Sequence, residues 1–475
     1  MAELPDKAEH FIEWYLEAVE VAGLTDKRYP VKGMNVWTAY GFQARRLLDG
    51  LMVRGIEATG SQAVEFPALI PQTEFQKEKE HVKGFDTQVY WVTKGGTTEL
   101  DIPLVLRPTS ETAMYPMFAI WIRSHKDLPL NVYQIVNTFR YETKTTRPFL
   151  RIREIHFFEE HTCQLTDEAA AARCQSNLAT FQGIADGLAL PFVASRRPEW
   201  DKFPGAYYSI ALDLPVGGAR TLQVGTIHHY RENFSRPYEI RYEDLSGELK
   251  YVHQTTFGLS ERLLGATVAF HGDRRGVVFP TSIAPFQVVI VPIVSQNSGP
   301  IAVDAARTLA DRLRTRGLRV HVDDSENRPG AKYYLWESRG VPLRIEVGPR
   351  EAAAGTVTAV TRLGEKKTLG PGPLEGPILQ ALVDFDLALA AQARATFQKS
   401  FSVAYRLEEL KDSTTVRLVS WCGTEECGHQ IEQAIEGAVL GVPEGPLPID
   451  PGPLTECIAC GKMHGTRWTL AGRPL

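Results

Sequence analysis

Between Thr138 and Thr162 the chain reads TFRYETKTTRPFLRIREIHFFEEHT. Arg140 and Glu142 stand two apart at the end of one run, the polar loop ETKTTRP follows, and a second run brings Arg151, Arg153, Phe157, Glu159 and His161. Basic residues on two adjacent segments joined by a loop suit an antiparallel hairpin that holds a polyphosphate. An arginine fork can serve two oxyanions at once, which the point charge of lysine does less well. Taken alone, an Arg–Glu pair on a strand is a surface ion pair worth less than about 1 kcal/mol, and HFFEEHT alone is a core strand with a polar exit. A second cluster lies near the end: Cys422 and Cys427, then Cys457 and Cys460. Two pairs at such spacing fit a tetrahedral zinc site with no open position, hence a structural one. Gly423 and Gly461 permit tight backbone beside the sulfurs, and His429 and His464 lie close enough to substitute. The alternative is four reduced thiols without metal. Cys163 and Cys174 are expected to be ordinary buried thiols.

The remaining composition narrows the class. The chain has 475 residues, with 52 Lys+Arg against 57 Asp+Glu and a net charge of −5. That length accommodates roughly two to four domains, and the balance excludes a generic polyanion binder, so RNA contacts must come from local patches. The opening MAELPDKAEHFIEWYLEAVE is charged and amphipathic, unlike a secretory signal, and the longest apolar run, near Phe286 to Val294, is too short to cross a bilayer. A cytoplasmic protein is expected. No internal repeat is visible.

Several elements must position these residues. Phe11, Ile12, Tyr15, Leu16 and Val19 share one face of a helix over 8–22, stopped at Gly23. A β-rich run leads through PVKG and Tyr40-Gly41 into a helix with Leu47, Leu48, Leu51 and Met52 along a stripe, which as periodicity alone is core packing. Residues 81–93 form a loop and then a strand. Thr109-Ser110-Glu111 before an apolar run has the pattern of a helix cap. An Ala-rich helix covers 167–184, and a strand pair lies around 207–214. Gly258, Ser260 and Arg262 open a helix with Leu263, Leu264 and Val268 on its stripe. From Ile283, strand–helix–strand–helix–strand predicts a right-handed βαβ sheet. LGPGPLEGP precedes a helix near 377–399.

FRxE, a loop and RxxxF (Arg153 to Phe157) resemble motif 2 of the class II aminoacyl-tRNA synthetases, and GLSER, ending at Arg262, resembles motif 3. PVKG and Tyr40-Gly41 resemble motif 1, with Ala39 where the motif has proline. The neighbouring text, TSE at Thr109–Glu111 above all, resembles the prolyl-tRNA synthetases, in order from about residue 10 to 350 and again at the cysteine-bearing end. Between Thr162 and Arg220 there is too little chain for an inserted editing domain, as in the archaeal and eukaryote-like type. DDSENRPGAKYYLWESRGVPLRIEVGPRE resembles the anticodon-binding domain. The resemblance implies an α/β and α+β multidomain protein: a class II antiparallel sheet of six or seven strands over 1–282, a βαβ anticodon-binding domain over 283–385, and a C-terminal zinc-binding α+β domain over 386–475, assembled as a homodimer.

It also implies an activity: ATP, Mg²⁺ and proline give prolyl-adenylate, and the prolyl group moves to the 3′ end of tRNA(Pro). Two anions must meet while charge grows on the α-phosphoryl oxygens, so the need is for positioning and cationic donors. Arg140 is expected to bridge the α-phosphate and the carboxylate, with Arg151 and Arg262 on the outer phosphates. Glu142 would contact the adenine or orient Arg140, and Gln223 and Thr226 would meet ribose and adenine. Thr109, Glu111 and His161, fixed by Glu159, would supply polar partners to proline, with Phe85, Phe157, His228 and Ser260 around the ring. Glu159 and Glu160 point to opposite faces of a strand, which argues against a metal there. Arg328, Lys332, Glu337, Arg339 and Arg344 are candidates for RNA contact. Alanine should be activated measurably and not cleared in cis, because each missing methylene gives only about 1–3 kcal/mol of rejection. Family chains end in a tyrosine whose carboxylate reaches toward the active site; this one ends at Leu475, so that role is not carried over. The rival readings are a class II synthetase for threonine or glycine, and a non-catalytic paralogue that binds RNA or regulates.

Overall fold

Ile155, Phe157, Glu159 and His161 alternate with His156, Phe158, Glu160 and Thr162, and a period of two sends the sets to opposite faces of one strand. In the computed structural model, which describes residues 4–77, 87–142, 144–293 and 299–475, that strand is Glu154–Gln164. It lies in an antiparallel array of six strands: β1 (Leu130–Phe139), β2 (Glu154–Gln164), β3 (Val193–Arg196), β4 (Tyr208–Gly217), β5 (Arg220–Arg231) and β6 (His253–Ser260). Their spatial order is β1-β2-β6-β5-β4-β3, and a short strand at Gln62–Ala63 adds in parallel beside β1. One face is sealed by four helices, α1 (Phe11–Val21), α2 (Ala39–Glu57), α4 (Asp167–Gly187) and α5 (Arg262–His271), around a core that includes Tyr15, Leu48, Phe181, Phe257 and Leu264. Phe158 faces this core, stacked on Tyr133 and edge-on to Phe257. The other face carries the candidate site, with α3 (Glu111–Trp121) at one end.

The helix starts have local causes. Thr38 caps α2 by accepting the N–H of Gly41, and position 41 needs glycine because a Cβ there would stand 1.9 Å from the Leu24 carbonyl. At α3 the expected cap does not form. Ser110 makes no cap bond and instead accepts the Gln134 amide at 2.8 Å, while the Thr109 hydroxyl donates to the Glu111 carboxylate at 2.6 Å. A buried acceptor network has taken these side chains away from the backbone.

Residues 288–292, 320–322 and 343–347 form the expected parallel strands, linked by helices Gly299–Thr315 and Pro329–Ser338 and extended by antiparallel strands at 357–361 and 366–369. This unit is fastened to the first by Arg362, whose guanidinium sits on Asp273 at 2.6 and 2.9 Å. Lys332 is buried and donates to the Asp323 carbonyl at 2.8 Å, and Glu337 pairs with Arg275 at 2.7 Å. Arg339 lies over Tyr40 and Trp336, and Arg344 pairs with Glu346 at 3.0 Å. Of the five candidates for RNA contact, Lys332 is thus enclosed by its own fold, because burial of an ammonium requires internal acceptors.

The cysteine-bearing end does not build a separate sheet. Residues 438–443 pair antiparallel with β3, and Arg473 and Pro474 run parallel to the start of β5, so strands at 401–403, 416–421, 438–443 and 467–474 extend the same sheet to eleven. Among the described residues no helix is long and apolar enough to cross a membrane.

Candidate active site

A cavity of about 340 Å³ opens on the uncovered face of the sheet. Its floor is set by register. Phe157, Glu159 and His161 on β2 stand opposite Ser260, Gly258 and Thr256 on β6, and Gly258 and Thr256 stand opposite Thr226 and His228 on β5. Alternation brings Thr226, His228 and Tyr230 to one face, and a register shift in the β4–β5 pairing beside Gly225 adds Gln223 to it. Gly258 has no side chain to fill the floor: a Cβ there would come within 3.1 Å of the Phe157 ring. Arg140, at the end of β1, and Arg262, at the start of α5, line the same cavity as Thr109, Glu111, Phe157, Glu159, His161, Gln223, Thr226, His228 and Ser260.

One end is a buried polar cluster. Thr109 donates to Glu111 and lies 3.2 Å from Glu159; Glu159 is 3.5 Å from His161 Nε2, and the Tyr115 hydroxyl is 3.2 Å from His161 Nδ1. Tyr230 donates to Glu111 at 3.0 Å. Burial opposes charge on His161, yet the facing Glu159 and the carboxylates of Glu111 and Glu160 raise its pKa above the usual range. His228 goes the other way: burial pushes it down to about 4, so it is neutral at pH 7, with Nδ1 2.8 Å from the Ser209 hydroxyl. This end therefore offers carboxylates and hydroxyls to a small cation beside the faces of Phe157, His228 and Phe203.

The other end is cationic. Arg140 donates through Nε to the Pro108 carbonyl at 3.0 Å, and burial lowers its pKa against the pull of Glu159 and Glu111. Arg262 donates to the carbonyls of Gln223 at 3.1 Å and Leu150 at 3.0 Å. Its pKa falls to about 10, through burial first and then through the positive charges of Arg140 and Arg151. Arg151 is thus near Arg262 without lining the cavity. Glu142 turns to Arg151 at 3.8 Å and accepts the Lys144 N–H at 2.9 Å, so the pairing it makes is with Arg151. Phe85 lies outside the described residues.

Glu160 faces away from the cavity and pairs with Arg173 behind the sheet, as alternation requires. Sequence reasoning missed Arg197, Asp201, Phe203 and Ser209, which line the cavity from the β3–β4 connection and β4. The only available signal was the aromatic and charged text RRPEWDKFP, which has no period. It also missed Tyr115 and Tyr230, which read as apolar positions.

The four C-terminal cysteines converge, with their sulfurs all within 4.8 Å of one another and Cys460 Sγ 3.9 Å from Cys422 Sγ. Sulfurs bound about 2.3 Å from one tetrahedral zinc stand about 3.8 Å apart, so the donor set fits that ion. Among the described residues this is the one group of three or more His, Cys, Asp or Glu side chains that could hold a metal. Cys163 and Cys174 are buried and free.

Residues 90–271 match the model of the tRNA synthetase class II core domain (G, H, P, S and T), residues 287–372 the anticodon binding domain, and residues 407–474 the C-terminal domain of prolyl-tRNA synthetase. Proline–tRNA ligase of Thermococcus kodakarensis is 49% identical over 96% of both chains, and that of Pyrococcus abyssi 47% over 97% of this chain and 98% of its own. The structure of Giardia lamblia prolyl-tRNA synthetase in complex with prolyl-adenylate superposes with a TM-score of 0.94 at 32% identity, covering 100% of both chains. That of the Cryptosporidium parvum enzyme complexed with halofuginone and AMPPNP gives 0.93 at 31%, covering 100% of this chain and 99% of that one. With its core, anticodon-binding and C-terminal segments all matched in order, the chain belongs to the proline–tRNA ligases, class II aminoacyl-tRNA synthetases.

Proposed function

We propose that the cavity seats proline at its carboxylate-rich end and ATP at its arginine end, so that the two reacting groups meet at Arg140. What supports this reading is one observation: Arg140 and Arg262, from segments far apart in sequence, line a single cavity with Thr109, Glu111, Phe157, His161 and His228. The proline NH₂⁺ donates to Thr109 and Glu111, with His161 held by Glu159, and its ring lies against Phe157 and His228 beside Ser260. Arg140 contacts both the proline carboxylate and the α-phosphate, where charge grows in the transition state. Arg262 and Arg151 take the outer phosphates of ATP, which arrives as its Mg²⁺ complex. Gln223 and Thr226 face the nucleoside, and Glu142 sets Arg151. The proline carboxylate attacks the α-phosphorus and pyrophosphate leaves; the tRNA 3′ hydroxyl then attacks the prolyl carbonyl and AMP leaves.

The same reading places Zn²⁺ on Cys422, Cys427, Cys457 and Cys460, where a closed thiolate set orders chain rather than binding substrate. The segments 1–282, 283–385 and 386–475 are its catalytic, anticodon-binding and zinc-binding parts, and the site of action is the cytoplasm. A homodimer is supported by exposed apolar side chains at Tyr29, Val36 and Phe42, around the start of α2. Alanine is activated and released uncorrected, since between β2 and β4 the chain forms only α4, β3 and short connections.

Pyrophosphate exchange into ATP, run with each amino acid in turn, tests the assignment. Proline should support the fastest exchange. Faster exchange with threonine or glycine would establish the rival specificity, and none with any amino acid would establish a non-catalytic paralogue.

A further inference from the structure

Residues 197–207 join β3 to β4, and the part over 197–204 has two faces. On the inner side Asp201 and Phe203 line the cavity. Phe203 stacks on His228 with ring centres 4.6 Å apart, and its N–H donates to the Ser209 hydroxyl at 2.9 Å. On the outer side the segment rests on the cysteine-bearing part. The Trp200 indole N–H donates to Glu432 at 3.1 Å, and the ring lies edge-on to Trp421 at 5.8 Å and 4.9 Å from His429. It covers the helix α6 (Glu425–Ile435) so closely that a Cβ on Gly428 would come within 2.3 Å of the indole. Arg197, at the start of the segment, donates to the Leu440 carbonyl at 2.6 Å and to Asp213 at 3.0 Å.

Within the segment Arg197 pairs with Asp201 at 3.4 Å and Lys202 with Glu199 at 2.7 Å, while backbone bonds are few. Its backbone bonds run from Asp201 N–H to the Pro198 carbonyl and from Ala206 N–H to the Phe203 carbonyl. Beyond the Phe203 contacts with Ser209 and His228, its distance from the substrate is set from behind, by Trp200 on Glu432 and Arg197 on the Leu440 carbonyl. That distance matters for a smaller competitor. Alanine enters any pocket that admits proline, and its rejection rests on contacts it fails to make. Those contacts exist only if the wall stays at van der Waals distance, since a gap of about 0.5–1 Å forfeits a quarter to a half of each.

We propose that Trp200 is a positioning residue for amino-acid selection: α6, through the indole, holds Phe203 and Asp201 against the substrate and so sets the preference for proline over alanine. This rests on the assignment of the His228 end to proline. The test is pyrophosphate exchange by full-length Trp200→Ala, Trp200→Phe and Gly428→Ala enzymes, with proline and alanine as substrates. Trp200→Ala should raise the KM for proline on the order of tenfold, leave the KM for ATP unchanged and lower the proline-to-alanine ratio of kcat/KM. Trp200→Phe, which keeps a ring, should recover most of the preference. Gly428→Ala leaves the tryptophan in place, pushes it with one methyl and suits a helix, so it gives the same split even if Trp200→Ala fails to fold. Unchanged proline KM and unchanged ratio in a folded variant would overturn the inference, as would an equal rise in the KM for ATP. His228→Ala separates the two failures. Unchanged proline KM in that variant removes the pocket assignment itself, whereas a raised KM there with no effect at Trp200 removes only the role of α6.

Discussion

Two arginines, Arg362 buried and Arg262 half-buried, show how differently one fold can use the same side chain. Arg362, at the junction with the anticodon-binding part, meets Asp273 through both terminal nitrogens and also donates to the Val277 and Glu337 carbonyls. Arg262, in the cavity, has two carbonyl acceptors and, among the described residues, no ion pair; the charges of Arg140 and Arg151 press on it. Burying a cation without a counterion is costly, and burying it with one is close to neutral. Arg362 is accordingly a fastener whose charge is spent within the fold. Arg262 carries charge that, among the described residues, no ion pair takes up and the neighbouring Glu261 opposes, which leaves it open to an anion.

The contrast yields predictions of decreasing size. Arg140→Ala and Arg262→Ala should each lower proline-dependent pyrophosphate exchange by about 10²–10³, with the urea unfolding midpoint little changed; comparable activity loss at Arg362→Ala would erase the distinction. Two histidines, His228 buried and His271 half-buried, extend the logic to pH. Burial holds His228 and His271 near 4 against an ordinary value of 6.5. Between those values the unfolded chain binds protons that the folded one does not. Stability should therefore fall as pH is lowered from 6.5 to 4, by ~3 kcal/mol per histidine, and His271→Asn should flatten that slope in urea titrations. His161 has the opposite sign: its raised pKa stabilises the fold at low pH, and the contribution is lost as pH rises through the folded value.

Arg362→Ala should cost about 2 kcal/mol in urea unfolding, less than a fully buried pair because Asp273 is partly exposed, and leave exchange per folded molecule unaltered. The smallest effect belongs to Glu142→Gln. Its 3.8 Å pair with Arg151 is partly exposed, so the KM for ATP should shift by less than about fivefold.

The cavity floor was legible because alternation is local. Phe157, Glu159 and His161 share a face for the same reason that Glu160 does not, and the βαβ pattern after Ile283 is equally local. Ser110 was misleading: as text it is a cap, but in the fold it belongs to Gln134. Lys332 read as a candidate for RNA contact because nothing in its neighbourhood announces the Asp323 carbonyl to which it donates. The wall at 197–204 and the joining of residues 438–443 to β3 were invisible for one shared reason. They depend on an edge-to-edge pairing of segments more than two hundred residues apart, for which neither period nor turn chemistry gives a sign. The four cysteines were legible as a set, yet not as lying in the part that backs the active-site wall.

The most direct test is a structure of the protein with proline and a non-hydrolysable ATP analogue. Phosphate oxygens about 2.7–2.9 Å from the Arg140 and Arg262 guanidinium groups, with the proline ring against Phe157 and His228, are the predicted result. A triphosphate bound elsewhere, with Arg262 still held only by the carbonyls of Gln223 and Leu150, would contradict the account.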